Sequence, residues 1–504
     1  MDAVIGIDVG TAGAKGCLLG DGLSVLATAQ RGYGVLTPAP GWVEQDPAEW
    51  LRSVREIIRE LGAKARITGI SISSQGDTIV PVDAAGKPLR HAISWMDSRC
   101  SAQCDRIAKQ ISPTEWFELT GEHILPFLAA TKIMWIEENE PETARRTYKY
   151  LFTEDFISAY LTGRYVVSAS NGTRSGLANI ASKAWDERLL ALTGVDVRRL
   201  SEIADSGVPV GHVRPEVACE LGLPAEAVVS TGGHDQPCAA LGAGVTDEGE
   251  CLLSCGSAWV VLAPMRQLPS GKAGSQGSMT KYCHCLPNRW VLLGAYAGGA
   301  ILKWFRDNLS EPVIEEAEAK GKDAYELLAE PGSVGDLLFF PHFYGAITPA
   351  WRSEARGALL GLRLHHRRKD IARAILLGVA FDTAWNVEAL RQDGCSVTEL
   401  TMVGGGARSS FWAQLVADAA NLPVRLPQET EGAALGAAML AGLGTGSLDL
   451  GRLESWKPPT RQVVEPDPAG SHRLAPLFDL YKRTFYKLLD VYRELQKAAA
   501  PRTD

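Results

Sequence analysis

Residues 4–19 read Val-Ile-Gly-Ile-Asp-Val-Gly-Thr-Ala-Gly-Ala-Lys-Gly-Cys-Leu-Leu. Two short apolar runs, Ala3–Val9 and Gly16–Leu19, flank Gly10-Thr-Ala-Gly13. That connection is too short for a crossover helix, so the runs predict a β-hairpin and not a βαβ unit. The stretch is rich in glycine, yet it fits neither G-x-G-x-x-G nor G-x-x-x-x-G-K-[ST]. Its unusual member is Asp8, near the end of an otherwise apolar strand. An unpaired buried carboxylate is costly, so a plain hairpin with Asp and Gly as ordinary turn residues explains it poorly. Ligands of α/β folds bind at the carboxyl ends of strands, where Asp8 can hold Mg²⁺. Gly10 lets the backbone approach a phosphate. Thr11 adds a hydroxyl donor and Lys15 a positive charge.

The pattern recurs at mid-chain. Cys251-Leu-Leu-Ser-Cys-Gly-Ser is a second apolar strand ending in Gly-Ser, followed by a return strand at Val260–Ala263. The two matches predict an internal duplication at domain scale, with residues 1–246 and 247–504 as the halves and a polar turn near Val245–Glu250 between them. In the second copy Gly256 and Ser257 would clamp a phosphate from the opposite side, without an aspartate to hold metal. Elsewhere, Asp46-Pro-Ala-Glu-Trp50 opens a helix with an Asp N-cap and Pro at the first position. Helices are also predicted near 98–109, 129–139, 154–161, 299–307, 370–390, 410–420 and 431–441. Leu477, Leu480, Tyr481, Phe485, Leu488, Leu489 and Tyr492 mark a C-terminal helix over 474–497 that docks on a domain.

A chain of 504 residues exceeds what one hydrophobic core normally serves. The net charge of −8 argues against nucleic acid as a partner, since that needs a basic stripe. The one basic run, His365–Lys369, reads as a solvated helix start. No segment is long and apolar enough to suggest a membrane span. Ten cysteines without a secretory leader predict a reduced, cytoplasmic protein. Cys283-His-Cys285 lacks a second pair at zinc-site spacing.

Two further motifs carry chemistry. Asp235 follows Gly232-Gly-His234 at a strand-to-helix junction, where a carboxylate can face a cleft and accept the proton of an attacking hydroxyl. An N-cap role is compatible with that. Gly404-Gly-Gly-Ala-Arg-Ser409 joins a strand to a helix; its glycines let a flat ligand lie on the backbone, and the helix start favours anions. Glu431–Ala438 is a small-residue helix suited to close packing.

In order along the chain, these pieces resemble the FGGY carbohydrate kinases, most of all the xylulokinases among them. The resemblance spans Ile7–Lys15, Gly41-Trp-Val-Glu-Gln-Asp-Pro47, Trp95-Met-Asp-Ser-Arg99, Gly233-His-Asp235, Thr348-Pro349 with Ala355-Arg-Gly357, and Gly404–Arg408. It implies an α/β fold of two actin-like (ribonuclease H-type) domains. Each has a mixed five-stranded sheet flanked by helices, and a cleft lies between the domains. It also implies ATP on the second half, a small-molecule sugar or polyol on the first, and Mg²⁺. The reaction implied is transfer of the γ-phosphoryl of ATP to a terminal hydroxyl of a ketopentose such as D-xylulose. Asp235 would be the base and would share the metal side with Asp8. Thr11 and Ser257 would hold phosphate, and Gly299, Lys303, Gly404, Gly405, Ala407 and Ser409 would line the nucleotide. Gln75, Asp77, Trp95 and Asp97 would bind the sugar, with Trp259 as its cap. The assembly is left open, a homodimer included. Gln75-Gly-Asp-Thr78 departs from the xylulokinases' Gln-Met-His-Gly and also lacks the arginine of glycerol kinases' Gln-Arg-Glu-Thr. The acceptor could therefore be ribulose, erythritol or glycerol instead. A chaperone or filament ATPase of the same fold is disfavoured by Gly233-His-Asp235 and the Gln75/Asp77 and Trp95/Asp97 sets. A silent sugar sensor is disfavoured by the presence of Asp235.

Overall fold

The structure, a computed structural model, describes residues 1–268, 279–330, 332, 335–428 and 431–499. β1 (Asp2–Val9), β2 (Gly13–Leu19), β3 (Val25–Gly32), β4 (Arg66–Ser74), β5 (Pro209–His212) and β6 (Val228–His234) form one sheet in the order β5-β6-β4-β1-β2-β3. β1 pairs antiparallel with β2 and parallel with β4, so the opening stretch is the predicted hairpin at the centre of the sheet. The turn closes through Gly10 N–H to Gly13 O at 3.0 Å. β1 is buried along both faces because helices cover both sides of the sheet.

β7 (Gly249–Cys255), β8 (Ala258–Met265), β9 (Thr280–Cys283), β10 (Trp290–Ala297), β11 (Val397–Val403), β12 (Val424–Pro427) and β13 (Thr460–Val464) form the second sheet, ordered β9-β10-β8-β7-β11-β12-β13. The five-strand series β10-β8-β7-β11-β12 repeats β3-β2-β1-β4-β6, with the same antiparallel, antiparallel, parallel, parallel sequence of pairings. The duplication inferred from two short matches is therefore visible in the topology. The sheets hold six and seven strands where five were expected. The additions, β5 in one and β9 and β13 in the other, are edge strands joined antiparallel to the shared core.

Of the helices, α1 (Pro47–Gly62) starts as read: Asp46 accepts the Ala48 N–H at 2.9 Å, and Trp50, Val54, Ile57, Ile58 and Leu61 are buried. α2 (Asp235–Gly242) follows β6, and α3 (Gly299–Leu309) follows β10. α4 (Arg368–Gln392) and α5 (Ser410–Ala420) pack together. α6 (Gly432–Thr445) comes from the second half of the chain but packs on β1, β4, β6 and α2 of the first. Small residues permit this close approach. A Cβ on Gly436 would lie 2.0 Å from Cys238 O, and one on Gly6 would lie 2.0 Å from Ala438 N. α7 (Pro468–Ala499) begins earlier than the apolar repeat predicts, because Asp467 accepts the Ala469 and Gly470 N–H groups. Tyr481, Phe485, Leu489 and Tyr492 of α7 join the second core, while Leu480 points outward. Among the described residues no helix is long and apolar enough to cross a membrane.

Candidate active site

The carboxyl ends of β1, β4 and β6 bring Asp8, Gln75 and Asp235 to one edge of the first sheet. Asp8 Oδ1 accepts from Ser73 Oγ at 2.8 Å, and its other oxygen makes no hydrogen bond to the described residues. Burial pushes Asp8 up to about 6, with the Ser73 bond and the nearby Lys15 pulling the other way. Lys15 lies directly across from Asp8 on β2, but its ammonium is ion-paired with Glu431 at 2.6 Å, at the foot of α6. It therefore ties the two halves of the chain together.

Asp235 opens α2. Its neighbour His234 caps the helix, Nδ1 accepting from Gln236 N–H at 3.3 Å. Burial and the charge of Arg174 keep the His234 imidazole neutral, well below the usual histidine range. Because Nδ1 is an acceptor there, it cannot donate to Asp235 Oδ1, 3.3 Å away, and that oxygen has no hydrogen-bond partner among the described residues. Burial first, and then the charge of Asp8, push Asp235 up to about 7, with Arg174 opposing. A carboxylate poised near neutrality suits a general base.

The irregular end of β6 aims this pair. Its register against β4 slips between Ser230 and Gly233. The freed Gly232 N–H donates to the buried Glu154 carboxylate at 2.9 Å, and Ser168 Oγ and Asn171 Nδ2 donate to the same group, each at 2.6 Å. In the sequence Glu154 and Asp155 look like solvated acids of a first helical turn; both are fully buried.

Several expected sugar and phosphate contacts take other roles. Thr11 donates its hydroxyl to Gln75 Oε1 at 3.1 Å and accepts from Trp95 Nε1 at 2.9 Å, so it braces the site and has no proton left for a phosphate. Gln75 is further tied to Gln45, and the Trp95 ring stays exposed above this network. Asp97 is a correction: it is buried, and its oxygens are taken by Val43 N–H and Arg99. Asp77 is another. Its carboxylate is buried and accepts from Arg174 at 3.1 Å and 3.2 Å, so it does not offer two oxygens to adjacent hydroxyls.

On the second sheet, Gly256, Ser257, Gly299, Gly404 and Gly405 converge at the end of β7. Gly299 N–H donates to Gly256 O at 3.1 Å and Ala300 N–H to Ser257 O at 3.0 Å. Gly404 has φ +84° and lies against Cys255, where a Cβ would come within 3.0 Å of backbone. Ala407 is buried, its carbonyl held by Arg461. Ser409 accepts from Trp412 N–H at 3.1 Å and so caps α5. Lys303 is exposed one turn into α3, its ammonium paired with Asp307. Trp259 is the clearest correction: it is fully buried, 4.5 Å from Trp412, beneath Gly298 and Gly406, where added Cβ atoms would strike its ring. It is the floor of the glycine loops and cannot cap a sugar.

Comparison with known proteins agrees with this geometry. The N-terminal domain model of the FGGY family of carbohydrate kinases matches residues 3–242, and the C-terminal domain model matches 251–445. The chain is 30% identical to the xylulose kinase of Bacillus subtilis, covering 98% of this chain and 99% of that one. It is also 30% identical to the gluconokinase of the same organism, covering 88% of each. The xylulose kinase structure from Rhodospirillum rubrum superposes with a TM-score of 0.87 at 28% identity, over 97% of this chain and 100% of that one. A duplicated fold, a glycine turn at the end of the matching strand in each half and a near-neutral aspartate at a helix start thus coincide with full-length sequence matches, and the chain belongs to the FGGY family of carbohydrate kinases.

Proposed function

We propose that this carbohydrate kinase transfers the γ-phosphoryl of ATP to a terminal hydroxyl of a ketopentose such as D-xylulose. One observation carries the mechanism: the unpartnered Asp235 oxygen at the start of α2, beside Asp8 and held near neutral pH. Asp235 takes the hydroxyl proton as the oxygen attacks, and the rest is positioning and charge stabilisation. The halves, residues 1–246 and 247–504, form the two walls of the cleft. The glycine turns at Gly10 on one side and at Gly256–Ser257 and Gly404–Gly405 on the other face the phosphates and the nucleotide. Asp8 and Asp235 offer hard carboxylate oxygens, a donor set that suits Mg²⁺. The ion, when bound, neutralises charge on the phosphate oxygens. Trp95 and Gln75 line the sugar side, with Thr11 fixing both.

Support for a ketopentose comes from relatives named xylulose kinase over nearly the whole chain. The test is ADP release with D-xylulose, D-ribulose, L-ribulose, erythritol and glycerol. D-Xylulose is expected to give the highest kcat/KM; a higher value for another acceptor would replace it as substrate.

A further inference from the structure

Behind the sugar side lies a buried polar cluster around Asp77, whose other members no motif marks. Arg174, in the turn Thr173–Ser175, donates through Nε and an η nitrogen to Asp77 Oδ2, and its other η nitrogen lies 3.6 Å from Glu122 Oε1. The guanidinium sits 4.8 Å from the Tyr282 ring centroid, on β9 of the opposite half. Tyr282 in turn reaches His234 Nδ1 at 3.3 Å, next to Asp235. Gly76 makes room for this: a Cβ there would lie 2.5 Å from His234 and 3.4 Å from Arg174 Nε. Lys132, also buried, donates to the Asp77 carbonyl. Asp77 itself has φ +54°.

Arg174 keeps 11% of its side chain accessible, whereas Asp77 keeps 1% and Glu122 none. The guanidinium is thus the member of the trio that a ligand can meet. Its charge is matched by the Asp77 carboxylate; burial pushes Glu122 up to about 8, so at neutral pH it stands beside the guanidinium as a neutral acid. A guanidinium has five N–H donors, and two are committed to Asp77. The free donors can bond a hydroxyl or carbonyl oxygen. An incoming carboxylate would face the Asp77 carboxylate across the same group at low dielectric, and like charges brought that close repel strongly.

We propose that Arg174, held by Asp77 and Glu122, is a specificity residue that hydrogen-bonds the acceptor and makes the pocket select a neutral ketose or polyol over an aldonate. This rests on the kinase reading above and narrows its substrate class. Two relatives are named gluconokinase, so the choice is a real one.

The experiment uses the full chain with ATP and Mg²⁺, reading ADP release, with acceptor binding followed in parallel by calorimetry. The acceptors are D-xylulose, D-ribulose, erythritol, glycerol and D-gluconate. The best neutral acceptor is expected to exceed D-gluconate by about 100-fold in kcat/KM, and in binding. Gluconate turned over or bound as well as any neutral acceptor overturns the proposal while leaving the kinase reading intact. Absence of ADP with every acceptor sinks the kinase reading instead, and the binding ratio then still decides selectivity. Asp77→Asn should shift the neutral-to-aldonate ratio toward the aldonate by about tenfold, a change that a merely structural role would not produce. If that variant fails to fold, Arg174→Lys, which keeps the charge but removes the forked donors, should raise KM for the best neutral acceptor about tenfold, and an unchanged KM counts against the proposal. A fall equal for all acceptors in the folded variant counts against the proposal.

Discussion

At the scale of single residues, Asp235, the proposed base, is expected to bear on both rate and stability. Asp235→Asn should lower kcat by about 100–10,000-fold, the usual contribution of a positioned base. Calorimetry should show sugar binding largely kept; a near-normal rate refutes the assignment. With Asp235 pushed up to about 7, the base is protonated below that pH, so kcat/KM should fall about tenfold per unit on the acid side. The stability effect has the opposite sign to that of a salt-bridged acid. A raised carboxylate pKa means the folded state binds the extra proton, so this group's burial cost is absent below the ordinary value of 3.8 and fully developed above about 7. Asp235→Asn should therefore melt a few degrees higher than the parent at about pH 8, and at the same temperature near pH 3. Asp8 and Asp235 were legible in the sequence because each stands next to a glycine-marked chain reversal. Arg174, Glu122 and Glu154 were not, because a charged side chain in a polar stretch looks solvated until the fold buries it.

At the scale of elements, the slip in β6 and the crossing of α2 with α6 set the geometry. Glu154→Gln keeps the shape but turns an amide N–H donor toward the donors of Gly232, Ser168 and Asn171, which the carboxylate now accepts. Leaving such groups unsatisfied costs roughly 1–3 kcal/mol. We expect kcat to fall about 10–100-fold with KM little changed; unaltered kcat would show that the slip does not need this carboxylate. At the crossing, Gly436→Ala places a methyl 2.0 Å from the Cys238 carbonyl, against backbone that cannot swing aside. Overpacking of this kind costs roughly 1–3 kcal/mol, which should lower Tm by several degrees. The small-residue run Glu431–Ala438 predicted a closely packed helix. Which partner it meets could not be read, since small residues permit contact without naming the neighbour.

At the scale of the molecule, the two sheets are built from separate halves of the chain, but α6 of the second half covers the first sheet. Val4, Leu19 and Leu241 pack there against Leu435, Ala438 and Met439. Residues 1–246 produced alone would expose that face, and large exposed apolar patches drive association. We expect this fragment to aggregate or bind a hydrophobic dye, and co-production with residues 247–504 to restore a soluble, active complex. A monomeric, dye-silent fragment would show that the first half needs no cover.

The sequence by itself determined the hairpin, the duplication, the glycine turns and the two aspartates, because all of these depend on local backbone requirements or on alternation along a strand. Only the tertiary structure decided that Trp259 is a floor and not a cap, that Asp97 and Asp77 hold arginines, and that Arg174 is the most accessible member of a buried trio with Asp77 and Glu122. Those roles depend on which side chains from distant segments share a low-dielectric interior, and there burial, not position along the chain, decides whether a charge binds substrate or braces a neighbour.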